Sequence, residues 1–316
     1  MTSYVIRAIV FEYKVEDQAY YETRPIGLSA WLGGSSSKTS VEHSLLKLTR
    51  VGLLIQYPPE RKVVIKQEPE LVINGIGHQL CRYHEGPAGI PEHQLYCITP
   101  SATPLGFCKE HSKSVLALFE KCAAGSLEAC RLVDVVWRSE EYIVYVLDYG
   151  SSKAKVGLTR SWRFYWRIAE QPHVAAAIAS RIKGNLVEAR SIEKELASRR
   201  HATEGAGVKM DERLEEAVSV LTTSGNGARP LAARIAEKLS LLGLEGLFKA
   251  ITILPREDPR TFLSRRLRPE DLRGRRLRLV DYWSGLLLLE DMRTRERIVL
   301  DKKHVLHRVL YGDISS

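Results

Sequence analysis

Tyr142-Ile-Val-Tyr-Val-Leu147, followed by Asp148-Tyr-Gly-Ser-Ser152 and then Lys155-Val-Gly157, decides how this chain reads. The first run is short, β-branched and aromatic, which is strand chemistry. The second is a turn. The third closes a returning strand. Beyond it, Ser161 to about Gln171 reads as a helix that stops before Pro172, because proline cannot continue one. Leu186 to about Arg200, rich in Glu, Ala, Leu and Arg, reads as a second helix. Between them Val174-Ala-Ala-Ala-Ile-Ala179 is open: alanine favours helix, but the run is short. Strands on both sides of helices make this block α/β.

Working outward, Val133-Asp-Val-Val-Trp137 reads as a further strand, and residues 113–133 as a helix with Val115, Leu118, Phe119, Cys122 and Ala123 on one face. Cys122 and Cys130 on that helix read as small, reduced core residues. Residues 1–76 read mostly as strands, with Gly33-Gly34-Ser-Ser-Ser37 a loop and Asn74-Gly75 a turn. His201-Ala-Thr-Glu-Gly-Ala-Gly207 reads as a linker, and Met210–Thr222 and Arg229–Ile251 as amphipathic helices separated by Ser224-Gly-Asn-Gly227. Evenly spaced strands from Arg275 to Tyr311 suggest a small barrel or sheet. The expected whole is α+β and multi-domain. It comprises a β-rich part (1–76), a zinc module (77–112), an α/β domain (113–200), a helical pair (208–252) and a basic segment with a small β-barrel-like domain (253–316).

The zinc expectation rests on Cys81, Cys97 and Cys108-Lys-Glu-His111, a C-x15-C-x10-C-x2-H pattern. A Cys and a His two residues apart can hold one tetrahedral ion from a tight turn, and zinc favours thiolate and imidazole. Such a closed site would be structural, folding a module too small for its own core. His84 and His93 are reserve ligands.

The chain has 316 residues and 47 Lys+Arg against 38 Asp+Glu, a net charge of +9. Its 44% hydrophobic and 27% charged content excludes a wholly disordered, collagenous or coiled-coil protein. The longest apolar runs, such as Gly285-Leu-Leu-Leu-Leu289, fall far short of the roughly 20 residues a membrane span needs. The N-terminus reads as lacking a secretory signal, so the expected compartment is the cytoplasm. Only Asn74, Asn185 and Asn226 represent asparagine, which leans toward a thermophile, where part of the arginine serves ion-pair networks. Positive charge favours an anionic partner.

Two arginine groups carry that idea. Arg160-Ser-Trp-Arg-Phe-Tyr-Trp-Arg167 interleaves arginine with aromatics, and a helix would align Arg160, Arg163 and Arg167. Arg265, Arg266, Arg268, Arg273, Arg275 and Arg276 belong to a C-terminal basic stretch running from Arg260 to Arg278. Arginine binds phosphate bidentately, so nucleic acid is the expected ligand, with structured RNA, including ribosomal RNA, ahead of DNA.

Val144-Tyr-Val, Lys155-Val-Gly-Leu-Thr-Arg160, Arg167-Ile-Ala-Glu-Gln171 and Asn185-Leu-Val-Glu188, in that order, resemble the GIY-YIG nuclease superfamily. They are more closely similar to a prokaryotic, largely archaeal family in which a cysteine-rich, zinc-like N-terminal part precedes a divergent GIY-YIG-like domain. The resemblance covers about Cys81 to Arg200. It implies that two tyrosines on adjacent strands, an arginine on the next helix and a glutamate on the last helix surround a phosphodiester. The glutamate would hold a divalent metal, Mg²⁺ or Mn²⁺. By position these are Tyr145, Lys155 in place of the second tyrosine, Arg167 and Glu193, with Glu188 a rival. A protonated lysine cannot take a proton from water but can bind phosphate. The resemblance therefore favours nucleic-acid binding on a catalytically degenerate domain over an active endonuclease. A scaffold without nucleic-acid contact is the third expectation.

Overall fold

The computed structural model describes residues 2–23, 38–87, 89–203, 210–223 and 227–315. The Gly33–Ser37 loop, most of the 201–207 linker and the 224–226 turn lie outside the described residues. In chain order the strands are β1 (Ser3–Glu22), β2 (Thr39–Gln56), β3 (Val63–Gln67), β4 (Glu70–Gln79), β5 (His84–Glu85), β6 (Leu95–Tyr96), β7 (Glu141–Asp148), β8 (Ala154–Arg160), β9 (Ala175–Lys183), β10 (Ala202–Thr203), β11 (Gly246–Leu254), β12 (Arg276–Trp283), β13 (Leu286–Asp291), β14 (Arg297–Asp301) and β15 (Arg308–Ser315). The helices are α1 (Val115–Ala123), α2 (Leu127–Val136), α3 (Phe164–Ala169), α4 (Leu186–Ser198), α5 (Met210–Thr223) and α6 (Ala228–Leu241). The fold is mixed α/β. No helix among the described residues is long and apolar enough to cross a membrane.

The chain divides into two compact units. The first comprises Met1–Tyr13, Leu48–Val136 and Pro255–Ser316, and the second Lys14–Lys47 and Trp137–Leu254. This division differs from the sequence-predicted boundaries. The N-terminal and C-terminal strands share one sheet: β15 pairs antiparallel with β1 and with β4, and β12 with β4. These pairs join residues as far apart in sequence as Ser3 and Tyr311, more than three hundred positions, which no local pattern announces.

In the first unit the strand order runs β1-β15-β4-β12-β13-β14, and β3 pairs with β2. The expected C-terminal barrel is not there: β12-β13-β14 is an open meander that continues into β4. Its apolar content is fully used, since Leu286–Leu289 and Trp283 are at most 1% exposed. Residues 113–136 form a helical hairpin, so Val133–Val136 is helix and not strand. Cys122 and Cys130 face each other across it and form a disulfide, with Cα atoms 4.8 Å apart, where reduced core thiols were expected. A helical hairpin turning at Gly125 brings the two Cβ atoms within bridging range.

In the second unit the order is β10-β8-β7-β9-β11-β2-β1. β7 pairs antiparallel with β8 and β9, as the reading of that block predicts for the first pair. β11 runs parallel to β2 and antiparallel to β9. The open stretch 174–179 is strand: Ala175, Ala176 and Ala177 are completely buried between β7 and β11. Tertiary placement overrides alanine's helix preference there. The helix expected to reach Ile251 ends at Leu241, where Gly243 takes φ +64, and Gly246–Leu254 becomes β11. Helices α4 and α6 pack on this sheet. Asp148, fully buried, ties α6 to β7 through Arg234 at 3.0 Å.

Candidate functional site

In the first unit, Cys81, Cys97, Cys108 and His111 come together, their donor atoms all within 4.8 Å of one another. The β5–β6 ribbon places the first two: Cys81 N–H donates to Thr99 O and Cys97 N–H to Tyr83 O. Gly106 at φ +81 and the Thr103 hydroxyl, which accepts from Phe107 N–H, shape the turn that delivers Cys108. His111 Nδ1 sits 3.2 Å from Cys108 Sγ and 3.7 Å from Cys81 Sγ, its ring stacked on Tyr83 at 3.8 Å. Backbone N–H groups already point at the sulfurs: Cys108 donates to Cys81 Sγ, Thr99 to Cys97 Sγ and His111 to Cys108 Sγ. Donors about 2.0–2.3 Å from one centre lie within such an envelope, so the cluster could hold a metal ion. Three thiolates and an imidazole fit a soft or borderline ion. His84, tilted against Tyr96, and His93, exposed on a turn, stand outside the cluster. Burial pushes the Cys81 thiol up to about 12.

Behind the cluster lies Arg7 from β1, 2% exposed. It donates to the carbonyls of Cys81 (3.0 Å) and Cys97 (2.6 Å), and its Nε donates to Gln56 Oε1 at 2.6 Å. Its guanidinium also lies over the Tyr96 ring. Burial lowers its pKa to about 10, still well above neutral. Sequence reading missed Arg7; nothing in a lone arginine on a strand marks it. Arg7→Met leaves two ligand-bearing carbonyls without their buried donor. Groups that orient metal ligands typically contribute 10–100-fold to affinity. The expected result is a loss of about that size in a competition titration against a chromogenic chelator. Arg7→Lys recovers only part of it, because one ammonium cannot reproduce the planar fork.

In the second unit, Tyr145 on β7, Lys155 on β8, Arg167 on α3 and Glu193 on α4 converge. Gln171, not picked out from sequence, bridges two of them: Lys155 Nζ donates to its Oε1 at 2.5 Å, and its Nε2 donates to the Tyr145 hydroxyl at 2.9 Å. Burial lowers the Lys155 amine to about 8, helped by the Arg167 and Arg213 charges and opposed by Glu193. Tyr145 and Glu170 hold the charge on Arg167 and raise its pKa. Arg213 was also invisible to the sequence reading, since it arrives from α5. Glu193 is only 8% exposed and ion-paired with Arg190 on its own helix. Glu188 sits at the start of α4, where its N–H donates to Asn185 Oδ1 and its carboxylate accepts from Asn185 Nδ2.

Arg160, Arg163 and Arg167 do not form a phosphate-facing row on one helix. Arg160 ends β8 and is 6% exposed, lodged between the Trp137 and Trp162 rings. Arg163 and Arg167 both reach Glu170. The C-terminal arginines divide. Arg275 pairs with Asp291 and Glu296, Arg276 with Glu70, and Arg278 with Glu290, which also holds Arg295 and Arg297. Arg265, Arg266, Arg268 and Arg273 are exposed. They lie on an extended strip whose backbone clamps the edge of β14: Val299 N–H donates to Arg265 O, and Leu267 N–H to Val299 O. Buried Phe262, Leu267 and Leu272 anchor the strip from inside. No carboxylate of the described residues lies within ion-pair distance of Arg265, Arg268 or Arg273. Charged side chains on an edge also prevent strand addition, so the strip has a structural use as well.

Comparison with protein-family models, with curated proteins and with solved structures finds no match to this chain.

Proposed function

We propose that this is a cytoplasmic, zinc-containing nucleic-acid-binding protein, with structured RNA ahead of DNA, built on a catalytically degenerate GIY-YIG-like domain. The observation that carries the reading is the strip of Arg265, Arg266, Arg268 and Arg273, fixed in backbone and exposed in side chain. A fixed backbone leaves only side-chain entropy to lose when these arginines meet phosphate. Zinc is the ion of choice because three thiolates and one imidazole are its structural donor set. Binding is favoured over cleavage because Lys155 replaces a proton-accepting tyrosine and Glu193 is neutralised by Arg190.

The test is fluorescence anisotropy of labelled structured RNA across a salt series with Mg²⁺ present. Each phosphate contact adds roughly one unit to the slope of log affinity against log salt. The Arg265→Ser/Arg268→Ser/Arg273→Ser variant is expected to flatten that slope by about 2–3. A flat response of the unaltered protein would leave a scaffold role. One observation favours a second reading, a metal-dependent endonuclease: Tyr145, Arg167 and Glu193, the centre that chemistry would use, lie around Lys155. Shortened RNA in the same tubes would establish that reading.

A further inference from the structure

Within the second unit an open groove of about 610 Å³ lies over β9, β11, β2 and β1, with α3 as one wall. Parallel pairing sets Lys249 opposite Glu42 and Ile251 opposite Ser44. Gln18 on β1 donates to Ser44, which fixes the fourth strand in line. Two tyrosines flank this floor: Tyr20 on β1, 56% exposed, and Tyr165 on α3, 38% exposed. Lys249 is exposed, and no carboxylate of the described residues lies within ion-pair distance of it. Arg181 borders the groove and shares Glu141.

We infer that this sheet face is a platform for single-stranded nucleic acid. Every base has a π-face, so aromatic side chains on an open sheet stack bases with little regard to sequence. Tyr20 and Tyr165 supply two such surfaces at the rim. The Lys249 ammonium supplies a phosphate contact. The Glu42 carboxylate, on the floor, accepts hydrogen bonds from exocyclic amino groups, as carboxylates do with cytosine N4. A partly open groove admits a segment of strand, where an enclosed pocket would take only a mononucleotide. The inference rests on the nucleic-acid reading for its ligand class but uses none of the arginine-strip residues.

The experiment uses the full chain and three labelled probes: a ten-nucleotide unstructured RNA, the same sequence as DNA, and a twenty-base-pair duplex. Tyr20→Ser/Tyr165→Ser is expected to weaken both single strands by about 30-fold or more, since each stacked base is worth roughly fivefold to a hundredfold. Duplex binding should change less than about twofold, because the duplex uses phosphate contacts alone. If the double variant melts early, Lys249→Glu, an exposed change on the same floor, should weaken single strands about tenfold. Single-strand affinity unchanged in these variants overturns the inference. So does an unaltered protein that binds duplex but neither single strand, which leaves the arginine-strip reading standing. Binding to none of the three probes overturns both. A preference for the RNA strand over its DNA twin assigns a contact to the 2′-hydroxyl.

Discussion

Removing the proposed metal is expected to open residues 80–111 and to expose three titratable thiols in place of none, and replacing Cys108 by Ser is expected to open the same stretch and expose two. The reason is how little else holds that module. Its apolar cluster consists of the ligand cysteines, Phe107 and Ala117, with Tyr83, Leu105 and Leu116 partly buried against it. Among the described residues of that cluster Phe107 is the only large side chain fully inside, worth about 2–3 kcal/mol, while Leu80 and Tyr96 of the same stretch are buried in neighbouring clusters. Structural zinc contributes roughly 10–16 kcal/mol of apparent binding free energy in small modules, several times what burying Phe107 supplies. Two measurements check this: metal content by atomic absorption, with one ion per chain expected, and hydrogen exchange before and after chelation. Protection should collapse across 80–111 while β7 and α4 keep theirs. Without reductant the chelated protein should show three free thiols and not five, because Cys122 and Cys130 are bonded to each other. A chain that holds no metal as purified and exchanges identically with chelator would sink the metal reading. Apolar packing would then be what holds the three thiols together.

The Cys/His cluster was the most legible part of the sequence because its chemistry is local: two residues separate Cys108 from His111, and loops on both sides are permissive. The β7–β8 hairpin was legible for the same reason, as a β-branched run, a turn and a return. What sequence could not show is long-range. Arg7 meets Cys81 and Cys97 across more than seventy residues. Gln171 and Arg213 join Lys155 from separate elements. The helix expected over Arg229–Ile251 overlaps the first part of β11 because Leu-Phe-Lys-Ala-Ile fits either period over so few residues. Only pairing with β2 and β9 settles it as strand. Arginine content misled in a different way. Composition counts Arg160, Arg275 and Arg276 alike with Arg268, yet the first is lodged between tryptophans and the next two are ion-paired.

The glycine of Lys155-Val-Gly157 offers the other large effect. It sits directly opposite Tyr145 in the β7–β8 ladder, and a Cβ there would lie 2.5 Å from Tyr145 Cζ. The ring cannot simply swing away. Its hydroxyl accepts from Gln171, and its edge meets Phe164 with centroids 6.1 Å apart. Tyr145 is 1% exposed, so the space it would need is already filled. Gly157→Ala should therefore cost about 1–3 kcal/mol as overpacking, and Gly157→Val more. The glycine's backbone is ordinary strand, so conformational strain is not the cause. This makes a double-mutant cycle decisive. On a Tyr145→Leu background, with the ring gone, Gly157→Ala should be nearly neutral in urea unfolding. The coupling between the two sites should be about 1 kcal/mol or more in favour of the pair. Additive effects would mean that the tyrosine ring yields freely. Coupling would mean that the glycine is there to seat the tyrosine, whose hydroxyl in turn holds Gln171 against the Lys155 ammonium. The same cycle read by RNA affinity separates seat from contact. If Tyr145 only positions Gln171 and Lys155, Tyr145→Phe keeps the stability of the pair but loosens the lysine. Binding to structured RNA should then weaken less than in Lys155→Met.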